Sequence, residues 1–440
     1  MKKIFILMSA PQMYGFLSGH PQRLKKIGYQ AVFVSSASDQ LTQQAEVEGA
    51  TRRVLPIERE ISPWKDLITF FRLCWLIGSE KPAAILSMGP KANFLGNTAA
   101  WVMGVPLRIS LYVGIRQETM SGWRCWLVDT CDRIAFASST AVIAISHSLR
   151  QALIQRGLVR PHEIEVTGNG TTNGIPAENF PFNVQAIIEA QVLQHKLSIP
   201  CDAPVLGFVG RLTEDKGLID LLKVYQIVRK KFPQLRLILV GPDEIRTKSA
   251  REALQEFKSD SQVHIVGSVG DVRPYIHLFW VHIFPTYREG FGNATAEAAA
   301  LAVPTVGYKV TGVLDSVDSG KTGFLSDIYD YRALAQSIIV YLTDAGLRAR
   351  HGLAARQRTL ELFHPEVTWN GYLRGLGETY EPNFTPKVEP LALEIFLERE
   401  KILRGLTQAE LNHLTQEIKQ PSGEAGEVSR TAKGASFQGE

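Results

Sequence analysis

Short apolar runs alternate with longer amphipathic segments along most of this chain. The runs KIFILMS, AVFVSS and AAILSMG are typical of strands, and the segments between them have helical periodicity. The alternation pauses over residues 181–202, which are rich in proline, asparagine and other polar residues, and resumes with VLGFVG and LRLILVG. Because strands that alternate with helices form parallel sheets, the sequence predicts an α/β protein with two Rossmann-like, doubly wound parallel-sheet domains.

The chain has 440 residues, which is too many for one ordinary hydrophobic core. After residue 380 the composition changes: prolines precede one predicted charged amphipathic helix, about residues 391–418, and then a polar segment with too few apolar residues to fold. The predicted parts are a first domain (1–180), a linker (181–202), a second domain (203–363), a crossover helix (364–380) and an extension with a helix and a disordered tail (381–440).

The composition argues against several classes of protein. Hydrophobic residues make up 45% and charged residues 21%, which is typical of a soluble globular protein. The net charge of +4 is too small, and the basic residues are too scattered, to predict binding to nucleic acid. No window reaches the roughly 18 apolar residues of a membrane-spanning helix, and the start MKKIFILMSAPQ is interpreted as a first strand. We therefore expect a cytoplasmic protein that is soluble or peripherally bound to a membrane.

The stretch GRLTEDKG joins a strand end to the beginning of a helix. Gly210 permits a tight turn, and Arg211 and Lys216 place two cations beside the amino end of that helix. Ligands of parallel sheets bind at the carboxyl ends of the strands, where helix N–H groups are unpaired. The stretch is therefore a candidate site for a dianion such as a diphosphate. Surface cations that pair with Glu214 and Asp215 would give the same pattern.

A second candidate is REGFGNATAEAAA, in which two carboxylates flank a glycine-containing loop. Glu289 follows a predicted strand, and Glu297 lies one turn into an alanine-rich helix. Gly290 and Gly292 permit a ligand to approach the backbone closely. Carboxylates accept hydrogen bonds from vicinal hydroxyl groups, so this loop suits a ligand with two polyol parts, such as a sugar and a ribose.

These two stretches resemble those of the retaining glycosyltransferases of family 4, which have the GT-B fold and use nucleotide-sugar donors. The resemblance covers about residues 2–380 and implies two domains that face a cleft. The C-terminal helical extension that the composition predicts lies beyond the region that it covers. It implies that Arg211 and Lys216 hold the donor diphosphate. It also implies that Glu289 contacts the donor sugar and Glu297 the ribose. The other donor-binding residues that it implies are Gly210, Gly290, Phe291, Gly292 and Asn293.

Cleavage of the bond to the anomeric carbon leaves negative charge on the diphosphate. Cations near that oxygen stabilise the transition state more than the ground state, so Arg211 and Lys216 are predicted to be the main catalytic residues. Glu289, which would contact the donor sugar, is the third predicted catalytic residue. The chain has no D-x-D motif, and its cysteines lack the spacing of a metal site. We predict an enzyme that needs neither a metal nor a cofactor. Retention of the anomeric configuration is implied by the resemblance alone.

The first half resembles a bacterial subset of the family that builds capsule, O-antigen and related polysaccharides on lipid carriers. The resemblance rests on SMGPKANFLGNTAAWVMGVPLRISLYVGIRQETMSG and on GNGTTNGI. It implies that Lys91, Arg116 and Glu118 lie on the acceptor side, although ordinary charges at helix starts would look the same. Many relatives have a histidine directly before the glycine at position 114. This chain has Val113 there, which removes one contact with the donor sugar.

Two segments combine aromatic and basic residues. SPWKDLITFFRLCWLIGSEKP contains Trp64, Phe71 and Trp75, and GWRCWLVDTCDR contains Trp123 and Trp126. Aromatic residues with basic neighbours can seat a protein on an anionic bilayer. A helix that packs on its own sheet carries a similar stripe, and the sequence leaves both interpretations open.

The predicted function is transfer of a hexose or N-acetylhexosamine from a nucleotide-sugar to a lipid-linked saccharide during bacterial surface polysaccharide biosynthesis, at the inner face of the plasma membrane. UDP is the expected nucleotide because it is frequent in the family. One alternative is another GT-B enzyme, such as a nucleotide-sugar epimerase or a synthase with a soluble acceptor. The other is a non-catalytic subunit that binds a nucleotide-sugar within a polysaccharide assembly complex.

Overall fold

The protein contains two parallel sheets, of seven and six strands, in a computed structural model that describes residues 1–9, 11–57, 62–378 and 392–419. The first sheet consists of β1 (Lys2–Met8), β2 (Tyr29–Ser35), β3 (Thr51–Val54), β4 (Ala84–Met88), β5 (Leu107–Tyr112), β6 (Ala141–Ala144) and β7 (Ile164–Val166). The second consists of β8 (Val205–Val209), β9 (Arg236–Val240), β10 (Val263–Gly267), β11 (Val281–Phe284), β12 (Thr305–Tyr308) and β13 (Gly323–Ser326). The prediction of two parallel-sheet domains is confirmed.

Helices follow most strands, as the alternation in the sequence predicts. We call the part built on the first sheet the first domain and the part built on the second sheet the second domain. The first domain contains α1 (His20–Lys26), α2 (Asp39–Glu48), α3 (Pro63–Glu80), α4 (Pro90–Val102), α5 (Gly122–Ser138) and α6 (His147–Gln155). After α7 (Val184–Lys196), the second contains α8 (Leu218–Lys231), α9 (Lys248–Lys258), α10 (Arg273–Leu278), α11 (Asn293–Ala300), α12 (Val313–Ser316), α13 (Tyr331–Thr343) and α14 (Ala345–Leu362).

The strand orders of the two sheets are equivalent. The first sheet has the order β3-β2-β1-β4-β5-β6-β7, and the second has the order β10-β9-β8-β11-β12-β13. In each sheet the order reverses once, between β1 and β4 and between β8 and β11. Loops that follow the two strands at such a reversal diverge to opposite faces of the sheet and leave a crevice for a ligand.

Both faces of the first sheet are covered by helices, which explains why its strands are apolar at nearly every position. Along β1, Ile4 and Ile6 belong to one hydrophobic cluster, whereas Phe5 and Leu7 belong to another that includes residues of α3 and α4. Side chains of a strand point alternately to the two faces, so a strand buried on both sides needs an uninterrupted apolar run. The run KIFILM satisfies that requirement.

The helix α15 (Pro365–Gly375) returns from the second domain and packs on the first. The Tyr372 hydroxyl donates a hydrogen bond to the Thr172 carbonyl at 2.7 Å, and Arg23 forms an ion pair with Glu366 at 2.8 Å. The helix ends at Gly375, earlier than the predicted end of the crossover helix; residues 379 and 380 lie outside the described residues.

The predicted linker contains the helix α7, which its composition did not indicate. The Asn183 side chain accepts a hydrogen bond from the Ala186 N–H at 3.0 Å and so caps the helix. Ile187 and Ala190 are buried in the hydrophobic cluster of the second domain. Most of residues 181–202 therefore belong to the second domain, because an apolar face of α7 packs there.

The prediction of one helix over residues 391–418 was wrong, because the extension contains two, α16 (Ala392–Arg404) and α17 (Gln408–Lys419). Gly405 lies between them with φ 67°, a left-handed conformation that ends helices. The Glu410 carboxylate accepts hydrogen bonds from the N–H and the hydroxyl of Thr407, at 2.8 Å and 2.7 Å, which starts the second helix. The predicted disordered tail falls on residues 420–440, outside the described residues.

Candidate active site

The two candidate stretches follow the strands at which the second sheet reverses its order. Gly210 and Arg211 come directly after β8, and the loop that contains Glu289 connects β11 to α11. The loops are joined by a hydrogen bond of 2.9 Å from the Tyr287 N–H to the Asp215 carbonyl. They approach so closely at Gly217 that a Cβ there would overlap the carbonyl oxygen of Pro285. Topology therefore brings together two stretches that are distant in the sequence.

A cavity of about 230 Å³ lies between these loops and the first domain. Seven of the predicted donor-site residues line it: Gly210, Lys216, Glu289, Gly290, Phe291, Gly292 and Asn293. The first domain contributes Met13, Phe16, Val113, Ile145 and Thr172. The cavity is thus a cleft between the domains, with the charged groups on the second domain and mostly apolar groups on the first.

Lys216 and Glu289 form an ion pair across this cleft wall. Both side chains are largely buried, with exposed fractions of 13% and 17%. The Lys216 ammonium also lies 5.7 Å from the centre of the Phe284 ring. The sequence had suggested one pair of cations and one pair of acids, whereas the structure pairs a cation with an acid. A ligand with a phosphate and hydroxyl groups could separate the two side chains, because its phosphate could pair with Lys216 and its hydroxyl groups could donate hydrogen bonds to Glu289.

Arg211 lies at the edge of the site and does not line the cavity. Its guanidinium forms an ion pair with Glu244 at 2.8 Å and lies 3.9 Å from Asp215 Oδ2. Arg288, which was not among the predicted site residues, lies 3.2 Å from the same oxygen. Burial raises the pKa of Asp215, but the hydrogen bond from Thr213 and the nearby Lys216 and Arg288 more than offset it and lower that pKa below its usual value.

The amino end of α11 is turned to the cavity. Gly292 precedes the helix with φ 87°, and no described side chain caps it. The Thr295 N–H donates to the Gly292 carbonyl at 3.0 Å, which leaves the N–H groups of Asn293 and Ala294 available to an anion. The buried Asn293 Oδ1 likewise accepts no hydrogen bond from a described residue. One turn later Glu297 is half-buried, and burial alone raises its pKa to about 7, with no described partner to offset it.

Contacts between the two domains cluster around the loop between β11 and α11, residues 285–292, which we call the donor loop after its predicted role. The Ser146 hydroxyl donates a hydrogen bond to the Gly290 carbonyl at 2.6 Å. Asp315 accepts hydrogen bonds from the N–H groups of His147, at 2.7 Å, and Ser148, at 3.1 Å. A Cβ at Gly290 would overlap the carbonyl oxygen of Val113 and lie 2.9 Å from Ile145 Cδ1. The domains therefore meet backbone to backbone at the donor loop, which explains the need for glycine at position 290.

Phe291 mainly packs between the domains, a role that the prediction of donor binding did not include. Its side chain is 1% exposed and meets the Phe363 ring edge to face, with the ring centres 4.8 Å apart. A Cβ at Gly170 of the first domain would lie 2.8 Å from the same ring. Phe291 lines the cavity and at the same time anchors the donor loop in the core of the first domain.

The acceptor-side candidates lie away from this cavity. The Lys91 ammonium, at the start of α4, forms an ion pair with Asp66 of α3 at 2.6 Å. Glu118 accepts a hydrogen bond of 2.6 Å from the Thr311 hydroxyl and so reaches the second domain. Arg116 is the first residue of the short 3-10 helix Arg116–Thr119. Lys91 and Glu118 do not line the cavity, but Glu118 lies near Arg288, whose charge partly offsets the rise that burial causes in the Glu118 pKa.

A larger cavity, of about 700 Å³, opens beside β6 and β7. Residues that directly precede these strands, Thr140 and Glu163, line it together with Arg374 of α15. It thus lies at the amino ends of the strands, opposite the edge where parallel sheets bind ligands. None of the predicted site residues lines it. Across the described ranges, no group of three or more His, Cys, Asp and Glu side chains is placed to hold a metal ion.

Two Rossmann-like domains that meet at a cleft, with the candidate site at a strand reversal, form the GT-B architecture. The glycosyl transferases group 1 family matches residues 190–358, and the glycosyl transferase 4-like domain matches residues 22–170. The capsular polysaccharide biosynthesis glycosyltransferase CapM of Staphylococcus aureus is 32% identical over 368 residues, which cover 84% of this chain and 95% of CapM. This chain therefore belongs to the family 4 glycosyltransferases with the GT-B fold.

Solved structures share the fold at lower identity. Anabaena Alr3699/HepE, solved in complex with UDP-glucose, is 19% identical, with a TM-score of 0.69 over 86% of this chain and 100% of that chain. Sucrose-phosphate synthase of Thermosynechococcus elongatus is 18% identical, with a TM-score of 0.65 over 86% of this chain and 98% of that chain.

Proposed function

We propose that this protein transfers a hexose or N-acetylhexosamine from a UDP-sugar to a lipid-linked saccharide in bacterial surface polysaccharide biosynthesis, with retention and without a metal. The observation that carries the proposal is the Lys216–Glu289 pair beside the uncapped amino end of α11, in a cleft between two Rossmann-like domains. The similarity to a capsular polysaccharide glycosyltransferase supports the polymer class. The similarity in fold to a protein solved with UDP-glucose supports the donor class.

The proposed chemistry follows from where charge develops. As the bond to the anomeric carbon breaks, the leaving diphosphate gains negative charge, and Lys216, Arg211 and the N–H groups of α11 would stabilise it. Glu289 would hold sugar hydroxyl groups, and Glu297 would hold the ribose. These groups supply positive charge where other glycosyltransferases use a metal ion, which is why we propose metal independence.

The proposal is tested by supplying a panel of UDP-sugars with lipid-linked saccharides from capsule-producing bacteria, in the presence of EDTA. UDP release that requires the acceptor, and an α-linked product from an α-linked donor, are expected. Conversion of the UDP-sugar into its epimer, without net release of UDP, would favour an epimerase. Turnover with soluble acceptors alone would favour a synthase, and donor binding without any turnover would favour the non-catalytic subunit.

The raised pKa of Glu297 predicts that donor affinity depends on pH. Hydrogen bonds from ribose hydroxyls stabilise the ionised carboxylate, so binding lowers a pKa that is about 7 in the unliganded protein. Donor binding then releases a proton, and affinity rises with pH through 7. We expect the Kd of a bound UDP-sugar, measured by calorimetry, to be about tenfold higher at pH 6 than at pH 8. In Glu297→Gln this dependence should disappear; an unchanged pH dependence in that variant would contradict the assignment.

We further propose that one surface of the first domain contacts the membrane. It comprises α3, α4 and α5, which lie side by side. Phe70 and Phe136 of these helices pack in the core, but six other aromatic side chains point to solvent. Their exposed fractions are 79% for Trp64, 63% for Phe71, 75% for Trp75, 60% for Trp101, 70% for Trp123 and 65% for Trp126. Exposed basic residues, among them Arg72, Arg124 and Arg133, accompany them. Aromatic and basic groups together suit an anionic bilayer, which would place the acceptor-side loops near a lipid-linked substrate.

None of the described helices is long and apolar enough to cross a bilayer. The proposed membrane contact therefore predicts reversible binding to vesicles that contain phosphatidylglycerol. Replacing Trp64, Phe71 and Trp75 together by serine should lower the bound fraction in a sedimentation assay at least fivefold, because interfacial burial of three aromatic side chains is lost. The matched control is Val192→Ser, an exposed apolar residue of α7. Equal binding by the triple variant and the wild type would refute this surface.

A further inference from the structure

The helices α16 and α17 lie beyond both family matches, the later of which ends at residue 358. Neither helix contributes a residue to the donor cavity. Both are nevertheless packed into the second domain: Leu403 of α16 joins its hydrophobic cluster, and Leu414 of α17 packs with Ala349 of α14. The described part of the extension is therefore packed as part of the second domain.

Three charged side chains of α16 are almost completely buried: Arg399 is 2% exposed, Glu400 1% and Arg404 8%. Burying charged groups is unfavourable unless they are paired and hydrogen-bonded. Glu400 accepts a hydrogen bond from Arg404 Nε at 2.7 Å and lies 3.6 Å from the guanidinium of Arg348 on α14. Arg399 Nε also lies 3.6 Å from Glu400, which is too far for a hydrogen bond, so the terminal nitrogens of Arg399 need another partner.

That partner is the carboxyl end of α11. Arg399 donates hydrogen bonds to the carbonyl oxygens of Leu301, at 2.7 Å, and Ala302, at 3.3 Å. Arg356 of α14 donates to the carbonyl oxygen of Ala300. The last carbonyl groups of a helix have no partners within it and carry the negative end of the helix dipole. Two buried guanidinium groups thus satisfy this end of α11.

α11 is also held along its length. Ala296 and Ala300 belong to one hydrophobic cluster and Ala298 to another. The Thr295 hydroxyl donates a hydrogen bond to the Ser316 hydroxyl at 2.6 Å. Its sequence, NATAEAAA, nevertheless offers mostly methyl side chains, so the contacts at its two ends also matter for its position. A helix of this length is not stable in isolation. Ala302, just beyond the helix, adopts φ 55°, a left-handed conformation that is unfavourable for a residue with a Cβ. The turn after α11 is therefore held by surrounding contacts, and the hydrogen bonds from Arg399 are among them.

The opposite end of this helix faces the donor cavity. An eight-residue helix is only about 12 Å long and moves as a rigid unit, so a shift at its carboxyl end also displaces its amino end and Glu297. We propose that Arg399 is a positioning residue for donor binding. By holding the carboxyl end of α11, it aligns the N–H groups at the amino end, and the Glu297 carboxylate one turn into the helix, with the nucleotide-sugar. This inference rests on the proposed donor site.

The test compares the full-length variants Arg399→Met and Arg404→Met. Each removes one buried guanidinium from the same cluster, but Arg404 contacts Glu400 and the Phe279 carbonyl and makes no hydrogen bond to α11. We expect both to lower the Tm. Only Arg399→Met should raise the Kd for UDP and the KM for the UDP-sugar, by about tenfold when measured well below the Tm. Equal Kd values for Arg399→Met and wild type, or equal increases in both variants, would overturn the proposal.

Arg399→Lys keeps the test decisive if the methionine variant does not fold. Lysine retains the charge and much of the packing but cannot donate two hydrogen bonds from a planar fork. A Kd for UDP about threefold above wild type is expected, and a Kd equal to wild type would contradict the proposal. If the wild-type protein itself binds no UDP, the proposed donor site fails. If it binds UDP and the variants bind equally well, only the role of Arg399 fails.

Discussion

Replacing Lys216 by alanine is expected to lower kcat about 10²- to 10³-fold, the range seen when one preorganised group that stabilises developing negative charge is removed. Of the two predicted phosphate-binding cations, both in the described part of the chain, Lys216 lines the cavity and Arg211 does not. Its loss also leaves the Glu289 carboxylate uncompensated next to the diphosphate. Donor affinity should therefore fall together with kcat, which acceptor-dependent UDP release and calorimetry would measure.

Lys230→Ala is the matched control for this prediction. Lys230 lies on α8, the helix that follows the Lys216 loop, and its side chain is exposed near the other end of that helix. The same charge is removed from the same part of the chain, so a general electrostatic effect would appear in both variants. A Lys216→Ala enzyme with kcat within threefold of the wild type would show that the leaving group is stabilised by other residues.

Replacing Gly290 by alanine should lower turnover about 10²-fold with little change in Tm. The added Cβ would overlap the Val113 carbonyl oxygen, so the two domains would have to move apart at the donor loop. Displacements of about 1 Å in an active site can cost two orders of magnitude in rate. Phe291 belongs to the core cluster of the first domain, but most of the buried residues of both domains lie away from this loop. We therefore expect the change in thermal stability to be small compared with the change in rate.

Gly270→Ala serves as the control because Gly270 also lies in the second domain and a Cβ there would meet no atom within 4 Å. Neither glycine has the left-handed φ that would itself penalise alanine, so the comparison isolates the steric overlap. If Gly290→Ala turned over substrate as fast as Gly270→Ala, the close approach of Gly290 and Val113 would be irrelevant to catalysis.

The sequence predicted the fold class correctly because strand runs and helical periodicity are local signals. The two candidate loops lie together in the structure, as expected for residues that follow parallel strands where the strand order reverses. The prediction from the sequence missed the break between α16 and α17, although Gly405 followed by the capping residues Thr407 and Glu410 was a readable signal. It missed α7 because prolines on both sides outweighed a short amphipathic helix capped by Asn183.

The pairing within the site could not be predicted from the sequence. Lys216 lies among acidic neighbours, and only the three-dimensional approach of two loops selects Glu289 as its partner. The contact between Ser148 and Asp315 spans 167 positions and depends on how the domains meet. Such contacts result from long-range packing, for which a single sequence carries no local pattern.

The ion pair between Lys216 and Glu289 has a consequence for the catalytic cycle. A complete nucleotide-sugar can compensate both partners when it separates them, since its phosphate meets the ammonium and its sugar hydroxyls meet the carboxylate. The product UDP retains the phosphate but has lost the sugar, so the Glu289 carboxylate would lie next to the diphosphate without a hydrogen-bond donor from the ligand. If the proposed donor site is correct, re-formation of the ion pair would help to expel UDP, and we would then expect weak inhibition by this product.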